Sequence, residues 1–340
     1  MNIVIFSDYD IAGNLTLLSK MINKYTIHSA RCIIAVHTYF NYDEDIILMK
    51  GTPEDPEALI PDENAINEAE ELIKNADFFH IGRQPLNFGN IKFENILNQR
   101  NCIFQYFGTY LRNNDTTLKR FHEQSGIKAI SWVDATMLKN SGAMYYHLPD
   151  MFDITNVKPW WEIKTNNDIP LHEQINIAHS PTNREFKKTE FFLSIIKKLK
   201  KEYSINLILL EGLSHNECIK RKQQAHIMFD QISVGRFALA AIESMAMGQA
   251  VLCSVSNLVM SSFPDNPIIP VTEKTLEQEL RHIIENRSII KNIGENGIKW
   301  VTKNCNPAKI IQQYIYLYDY IINGNRLIES SENQFKDVIM

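Results

Sequence analysis

Residues 237–247 are apolar or small at every position except Glu243 and Ser244, and a helix that is apolar nearly all round belongs in the interior of a larger protein. That stretch constrains everything around it. Before it come an apolar run at 226–229, the polar pair Asp230 and Gln231, and a loop holding Gly235; after it come Gly248 and a second apolar run at 250–255. The order is strand, tight loop, helix, stop, strand, a unit from which α/β proteins are assembled. The carboxylate in its middle requires a partner, because burying an ionised group costs several kcal/mol unless hydrogen bonds or an opposite charge offset it.

Helical spacing places Arg236, Ala240, Glu243 and Met247 on one face, with small Ala240 between the two charges. Such a face is either the helix's one solvated stripe or a ligand surface. In the second case free N–H groups near Gly235 would receive a phosphate, and Glu243 would accept hydroxyl hydrogen bonds deeper along the helix.

At 340 residues the chain exceeds the size at which a single core stops growing, which predicts two domains. Its hydrophobic content of 44% and charged content of 22% are those of an ordinary globular protein, and a net charge of -5 counts against nucleic acid as the main partner. Residues 1–8 reach an acid too early for a signal peptide, and no apolar run approaches spanning length, so the expected location is cytoplasmic. Cys32, Cys102, Cys218, Cys253 and Cys305 are scattered without a C-x-x-C pair, and the histidines show no metal-ligand spacing, so neither a disulfide framework nor a zinc site is expected.

The first half alternates strand and helix. Residues 2–7 read as a strand, a polar loop with Gly13 and Asn14 follows, and Leu18, Met21, Ile22 and Tyr25 mark a helix before a second strand at 30–36. Asp8 and Asp10 form an Asp-x-Asp pair that could hold a metal, but carboxylates at the junction of a strand and a loop are common without one, and these are read as ordinary loop carboxylates. Residues 43–63, rich in Asp, Glu and Pro, read as a loop with little buried mass. A helix at 65–76 and strands at 78–81, 101–107, 128–132 and 144–148 continue the series. The pattern breaks between 155 and 172, the best candidate for an interdomain link, where Trp160 and Trp161 either stack on a sugar or pack against the hinge.

The second half restarts with a strand at 175–179. The loop after it puts Arg184, Lys187 and Lys188 just before a helix marked by Phe192, Ile195, Ile196 and Leu199. A helix N-terminus repels cations, so the cluster is either solvated or held by a bound diphosphate. A strand at 206–210 leads to Ser214 and Glu217 at capping-box spacing, with His215 read as an exposed residue beside the cap. Helices at 276–285, 288–302 and 307–322 close the chain, the last with Ile311, Tyr314, Ile315 and Tyr318 as an apolar stripe.

The run 241–251 resembles the "LEAMA-x-GkPVi" signature of retaining, nucleotide-sugar-dependent glycosyltransferases of GT-B architecture. In that family the glutamate matching Glu243 binds the nucleotide ribose, and many members carry a second glutamate where this chain has Gly235. Residues 180–189 resemble the family's "hsPsnr..KGt" turn, whose basic residues hold the donor diphosphate, with Lys188 in place of the usual glycine. Gly13 and Asn14 resemble its "aGN" turn, residues 108–112 its "hGsdlR" turn with Phe107 and Tyr110 at frequently polar positions, and residues 149–153 its "lPnpiD" exit.

The resemblance implies an α/β fold of two Rossmann-like domains with parallel sheets facing a central cleft. Residues 1–165 would form the acceptor side, with 307–340 packing back on it, and 166–306 the donor side. It implies transfer of a sugar from a nucleotide-diphosphate donor to a hydroxyl of a glycan or other acceptor, retaining and without metal or cofactor. Arg184, Lys187 and Glu243 would be catalytic. Lys188, Ser214, His215, Gly235, Arg236 and Phe237 would join them in binding donor, and Gly13, Asn14 and Arg112 would bind acceptor, although Arg112 also reads as an ordinary surface residue. A lipid-linked acceptor would bring the protein to the inner face of a membrane. The rivals are a catalytically silent module that binds a nucleotide sugar, and a nucleotide-sugar epimerase of the same architecture.

Overall fold

The computed structural model describes residues 1–51, 55–82, 91–92, 101–108, 128–131, 146–163 and 173–323. The chain divides into two compact units, one running to Met151 and resuming at Pro307, the other spanning Phe152–Asn306. Among the described residues the first unit contains an eight-stranded sheet in the order β4-β3-β2-β1-β5-β6-β7-β8. Its strands are β1 (Asn2–Ser7), β2 (Ser29–Val36), β3 (Ile46–Lys50), β4 (Ile60–Pro61), β5 (Phe78–Gly82), β6 (Cys102–Tyr106), β7 (Lys128–Ser131) and β8 (Tyr146–Leu148). All neighbours pair parallel except β3 and β4.

The pleat of β1 sorts its side chains onto two cores. Ile3 and Ile5 face one cluster with α1 (Asn14–Tyr25) and the last described helix, α10 (Pro307–Ile322); Val4 and Phe6 face another, which includes Ile66 and Ala69 of α2 (Glu63–Lys74). Ile311, Tyr314, Ile315 and Tyr318 are the buried stripe of α10. Polar groups fix its seat: His80 Nδ1 lies 2.6 Å from Tyr318 Oη, His80 Nε2 lies 2.7 Å from Gln105 Oε1, and Gln105 Nε2 donates to Tyr314 Oη at 3.2 Å. Burial pushes the His80 pKa down to about 4, so the ring is neutral, donating through Nε2 and accepting from Tyr318 through Nδ1.

The second unit carries a five-stranded parallel sheet, β10-β9-β11-β12-β13. Its strands are β9 (Ile175–His179), β10 (Ile205–Leu209), β11 (Ile227–Phe229), β12 (Ala250–Cys253) and β13 (Ile269–Pro270). Helices α3 (Trp160–Ile163), α4 (Thr189–Leu199), α5 (His215–Lys222), α6 (Leu239–Ala246), α7 (Asn257–Ser262), α8 (Leu276–Glu285) and α9 (Ser288–Asn304) surround it. A core cluster joins Phe192, Ile195, Ile196 and Leu199 of α4 to Ile177, Phe229 and Leu252 of the sheet and to Leu280, Ile283 and Ile284 of α8.

Three readings change. Residues 43–63 are not a loop of little mass: β3 lies there, with Ile46 and Leu48 in the core, because pairing to β2 buries a run whose charged flanks disguise it. The units divide after Met151, earlier than residue 165. Trp160 accordingly belongs to the second core, its indole donating to Gly248 O at 2.8 Å and its backbone N–H to Met247 O at 3.0 Å. The helix expected from 237 starts at Leu239, after an extended Ala238, so Arg236 is off the helix and the shared-face argument does not apply to it.

Candidate functional site

In the second sheet the chain starts at β9, steps outward to β10, then returns to β11 on the other side. The carboxyl ends of β9 and β11 therefore flank the reversal of strand order, the crevice where open α/β sheets bind ligands. Buried His179, the last residue of β9, stitches this edge together. Its Nδ1 lies 2.9 Å from Phe229 O and its Nε2 2.9 Å from Thr189 Oγ1, and burial lowers its pKa to about 4. The neutral ring donates to the carbonyl and accepts from the threonine hydroxyl, holding the start of α4 against the strand ends.

The cationic loop lies on this edge. Lys187 N–H donates to Asn183 O at 3.0 Å and Thr189 N–H to Arg184 O at 2.9 Å. The tight turn turns the Lys187 side chain inward, where its ammonium pairs with Asp230, the residue that follows β11. Lys188 completes the turn in the left-handed region at φ 55°, a conformation glycine adopts without steric cost. Arg184 stays half-exposed between two carboxylates: Nη1 donates to both oxygens of Glu211 at 2.6 and 2.7 Å, and Nη2 to Glu190 at 2.6 Å.

Gln231 shapes the opposing loop. Its side-chain oxygen accepts from the N–H groups of Ser233 and Val234 at 2.6 and 2.8 Å, and its amide donates to Arg236 O and Ser254 O at 2.7 and 3.1 Å. Gly235 takes φ 73°, and Phe237 is buried, edge-on to Phe263 and Trp300.

Glu243, 4% exposed, has both carboxylate oxygens engaged. Oε1 lies 2.8 Å from His215 Nε2, and Oε2 accepts from Lys222 Nζ at 2.5 Å; Lys222 is itself only 1% exposed. Burial pushes the Glu243 pKa up, yet the Lys222 charge and the His215 hydrogen bond outweigh it, holding the group at about 2. Burial acts against the Lys222 charge as well, but attraction to Glu243 raises its pKa overall. Ser214 caps α5 by accepting from Glu217 N–H at 3.4 Å, so the cap sets where His215 stands. The residue that sequence reasoning missed is Lys222. Its signal was indirect: a buried acid demands a cation, but α5 offers Lys220, Arg221 and Lys222 side by side.

No protein-family model matches the chain, and no curated protein matches it. Solved structures do. A sucrose-phosphate synthase from Thermosynechococcus elongatus superposes with a TM-score of 0.60 at 12% identity, over 95% of this chain and 100% of that one. Anabaena HepE in complex with UDP-glucose gives 0.61 at 11% identity over 93% and 99%. A glycosyltransferase from Rickettsia africae gives 0.57 at 14% identity over 97% and 99%. The chain has the GT-B fold.

The first unit of this GT-B chain carries the remaining expected residues. Gly13 takes φ 71° before α1, but the space beside it is occupied: a Cβ there would lie 2.7 Å from the Tyr42 ring. Asn14 Nδ2 donates back to Ile11 O at 2.9 Å. Asp10 is buried and accepts from Leu15 and Thr16 N–H at 3.0 and 2.9 Å, capping α1. Burial raises its pKa to about 6 despite those bonds. Asp8 accepts from Ser7 Oγ and Tyr9 N–H. Among the described residues no group of three His, Cys, Asp or Glu side chains could hold a metal ion, and no helix is long and apolar enough to cross a membrane. Arg112 lies outside the described residues.

Proposed function

We propose that this chain is a glycosyltransferase that moves a sugar from a nucleoside-diphosphate donor to a hydroxyl acceptor. One observation carries the reading. A GT-B fold places a buried lysine and an ionised buried glutamate in the loops and helices around the strand reversal of its second sheet, and a protein of the same fold has been solved with UDP-glucose. The barrier to such a transfer is the charge developing on the departing diphosphate, and fixed positive groups there lower it. Lys187, anchored by Asp230, is the principal cation. Lys188 lies beside it at the start of α4. Arg184 already sits between Glu190 and Glu211 and must exchange one of them to meet a phosphate. His215, oriented by Glu243, is the partly exposed member of its triad and meets the nucleoside, with Glu243 accepting from the ribose.

The resemblance supports retention of anomeric configuration and independence of metal, so turnover should survive excess chelator. The test is a thermal-shift panel of nucleoside diphosphates and their sugars, followed by turnover with whichever donor stabilises; a ligand at 100 times its dissociation constant adds about 2.7 kcal/mol. Stabilisation without turnover on any hydroxyl acceptor would support the silent nucleotide-sugar-binding module, a reading that Gly235 at the place of the frequent second glutamate favours. No stabilisation by any nucleotide would end both.

A further inference from the structure

The described residues hold four non-glycine residues at positive φ: Ala12, Asn41, Asp43 and Lys188. Lys188 belongs to the cationic loop. The other three sit in two loops of the first unit, those that follow β1 and β2, which run side by side as Val36 N–H donates to Asp8 O at 2.9 Å. Backbone held in such regions is strained, and such strain concentrates at ligand sites.

The side chains there carry the argument. His37 Nδ1 lies 3.1 Å from Glu44 Oε2, and the Glu44 side chain is 1% exposed. Its other oxygen, Oε1, is buried without a hydrogen-bond partner, and so is Thr38 Oγ1. Buried polar atoms are nearly always satisfied, and each left unsatisfied calls for a reason. With Nδ1–H donated to the carboxylate, His37 keeps Nε2 as an acceptor. The same loop carries a row of rings. Tyr39 and Phe40 lie 4.0 Å apart between centroids, Phe40 and Tyr42 stack at 5.6 Å, and Tyr42 lies on the backbone at Gly13. Tyr39 is 40% exposed.

The charge around the loops selects the ligand. Asp10 and Glu44 are close enough for Glu44 to push the Asp10 pKa up, and Asp10 already fills the N-terminal end of α1. An anion would meet the Asp10 and Glu44 carboxylates and no spare helix terminus, and the Lys20 ammonium is already paired with Asp43 at 2.7 Å. A neutral molecule with an apolar face and several hydroxyls fits both surfaces, since the rings cover its face while Glu44 and His37 accept from its hydroxyls.

We infer that the loops after β1 and β2 form a binding site for a neutral sugar ring, with Tyr39 and its neighbouring rings as the stacking surface and His37, Thr38 and Glu44 as hydroxyl partners. That this sugar is the acceptor of the transfer rests on the function proposed above; the binding does not.

The experiment is saturation-transfer NMR on the full chain with neutral methyl glycosides and disaccharides, glucose 6-phosphate as a charged control, and a nucleoside diphosphate panel in parallel. Tyr39→Ala, exposed enough to leave the fold intact, and Glu44→Gln are compared with wild type, circular dichroism checking the fold. At least one neutral sugar should receive saturation. Its signal should fall at least fivefold in Tyr39→Ala, with the phosphorylated sugar weaker and nucleotide binding unchanged in both variants. Absence of transfer to every neutral sugar, equal transfer in folded Tyr39→Ala, or a preference for glucose 6-phosphate would overturn the inference. Loss of nucleotide binding in the wild type would instead overturn the proposed function and leave the sugar site standing.

Discussion

Removing the Lys222 ammonium leaves an ionised carboxylate buried on α6 with only His215 to meet it. Breaking a buried pair from one side typically costs 3–5 kcal/mol, whereas replacing both partners with apolar residues of similar volume is often neutral. Lys222→Met should therefore destabilise the second unit by about 3 kcal/mol or more, while Lys222→Met combined with Glu243→Leu should recover most of that loss yet bind nucleotide at least tenfold more weakly. Denaturant titration and nucleotide affinity, measured on both variants, check this; a double variant that binds like wild type would remove Glu243 from the site. The sequence made the need for a partner plain, because a lone acid stood in an apolar helix. It did not say which cation answers, since the pair spans 21 residues and is chosen by how α5 packs beside α6. Lys188 offers a second test at this scale. At φ 55° it bears about 1–2 kcal/mol of left-handed strain, which glycine escapes while losing roughly 0.5–1 kcal/mol more to chain entropy. Lys188→Gly should be neutral or stabilising by up to about 1 kcal/mol; a clear loss of stability in urea would show that the lysine side chain holds the loop.

Helix α9 approaches the C-terminal end of α6 through two glycines, and at Gly294 the approach is closer than any side chain permits. A Cβ on Gly294 would stand 2.0 Å from Gly248 O, and one on Gly297 would stand 3.0 Å from Met245 O. Both obstacles are backbone. Overpacking of this kind costs about 1–3 kcal/mol, so Gly294→Ala should fall at the upper end of that range and Gly297→Ala nearer the lower, read as the difference in urea midpoint. Equal effects would mean that α9 slides as a body to accommodate either methyl. Elements with strong periodicity were legible: α8, α10, β1 and β9 stand where their apolar spacing placed them. The failures share a cause. β3 hides between Asp45 and Lys50 and is a strand only by virtue of its partner β2, while α3 and α7 are too short to display a helical period. The start of α6 was misplaced because an apolar residue before a helix looks like one inside it, and the extended Ala238 leaves no trace in composition.

Among the described residues two buried histidines contribute to the response to acid. His80 in the first unit and His179 in the second both have folded pKa values near 4, well below the ordinary 6.5, so the unfolded chain takes up protons that the folded one refuses. Their stability contribution is complete above pH 6.5 and is lost as pH falls toward 4. Asp10, raised to about 6, acts with the opposite sign over the range from 6 down to 3.8, and Glu243, held near 2, gives up its share only below about 4.5. The histidine losses, to which His28 adds because burial lowers its pKa too, outweigh the Asp10 gain and predict lower stability at pH 5 than at pH 7.5, with net proton uptake on unfolding; a flat or rising profile by denaturant titration would contradict the neutral assignment of the rings.

The same scale decides where the chain can be cut. Composition placed the link between 155 and 172, which suggests a donor-side fragment beginning near 170, but the second unit begins at Phe152. Phe152 N–H donates to Cys305 O at 3.0 Å, joining the unit's first and last segments. Trp160 fills its core and bonds Gly248, and Trp161 packs over the same glycine. A fragment of residues 152–306 should thus fold alone and retain nucleotide affinity within about tenfold of the full chain. One of residues 170–305 loses a buried tryptophan, worth roughly 3–5 kcal/mol on truncation, and should be largely unfolded. Circular dichroism, urea titration and nucleotide binding on the two fragments separate the cases. A stable 170–305 fragment would show that the tryptophan segment merely covers the core, whereas a folded 152–306 fragment without nucleotide affinity would move the donor site out of this unit.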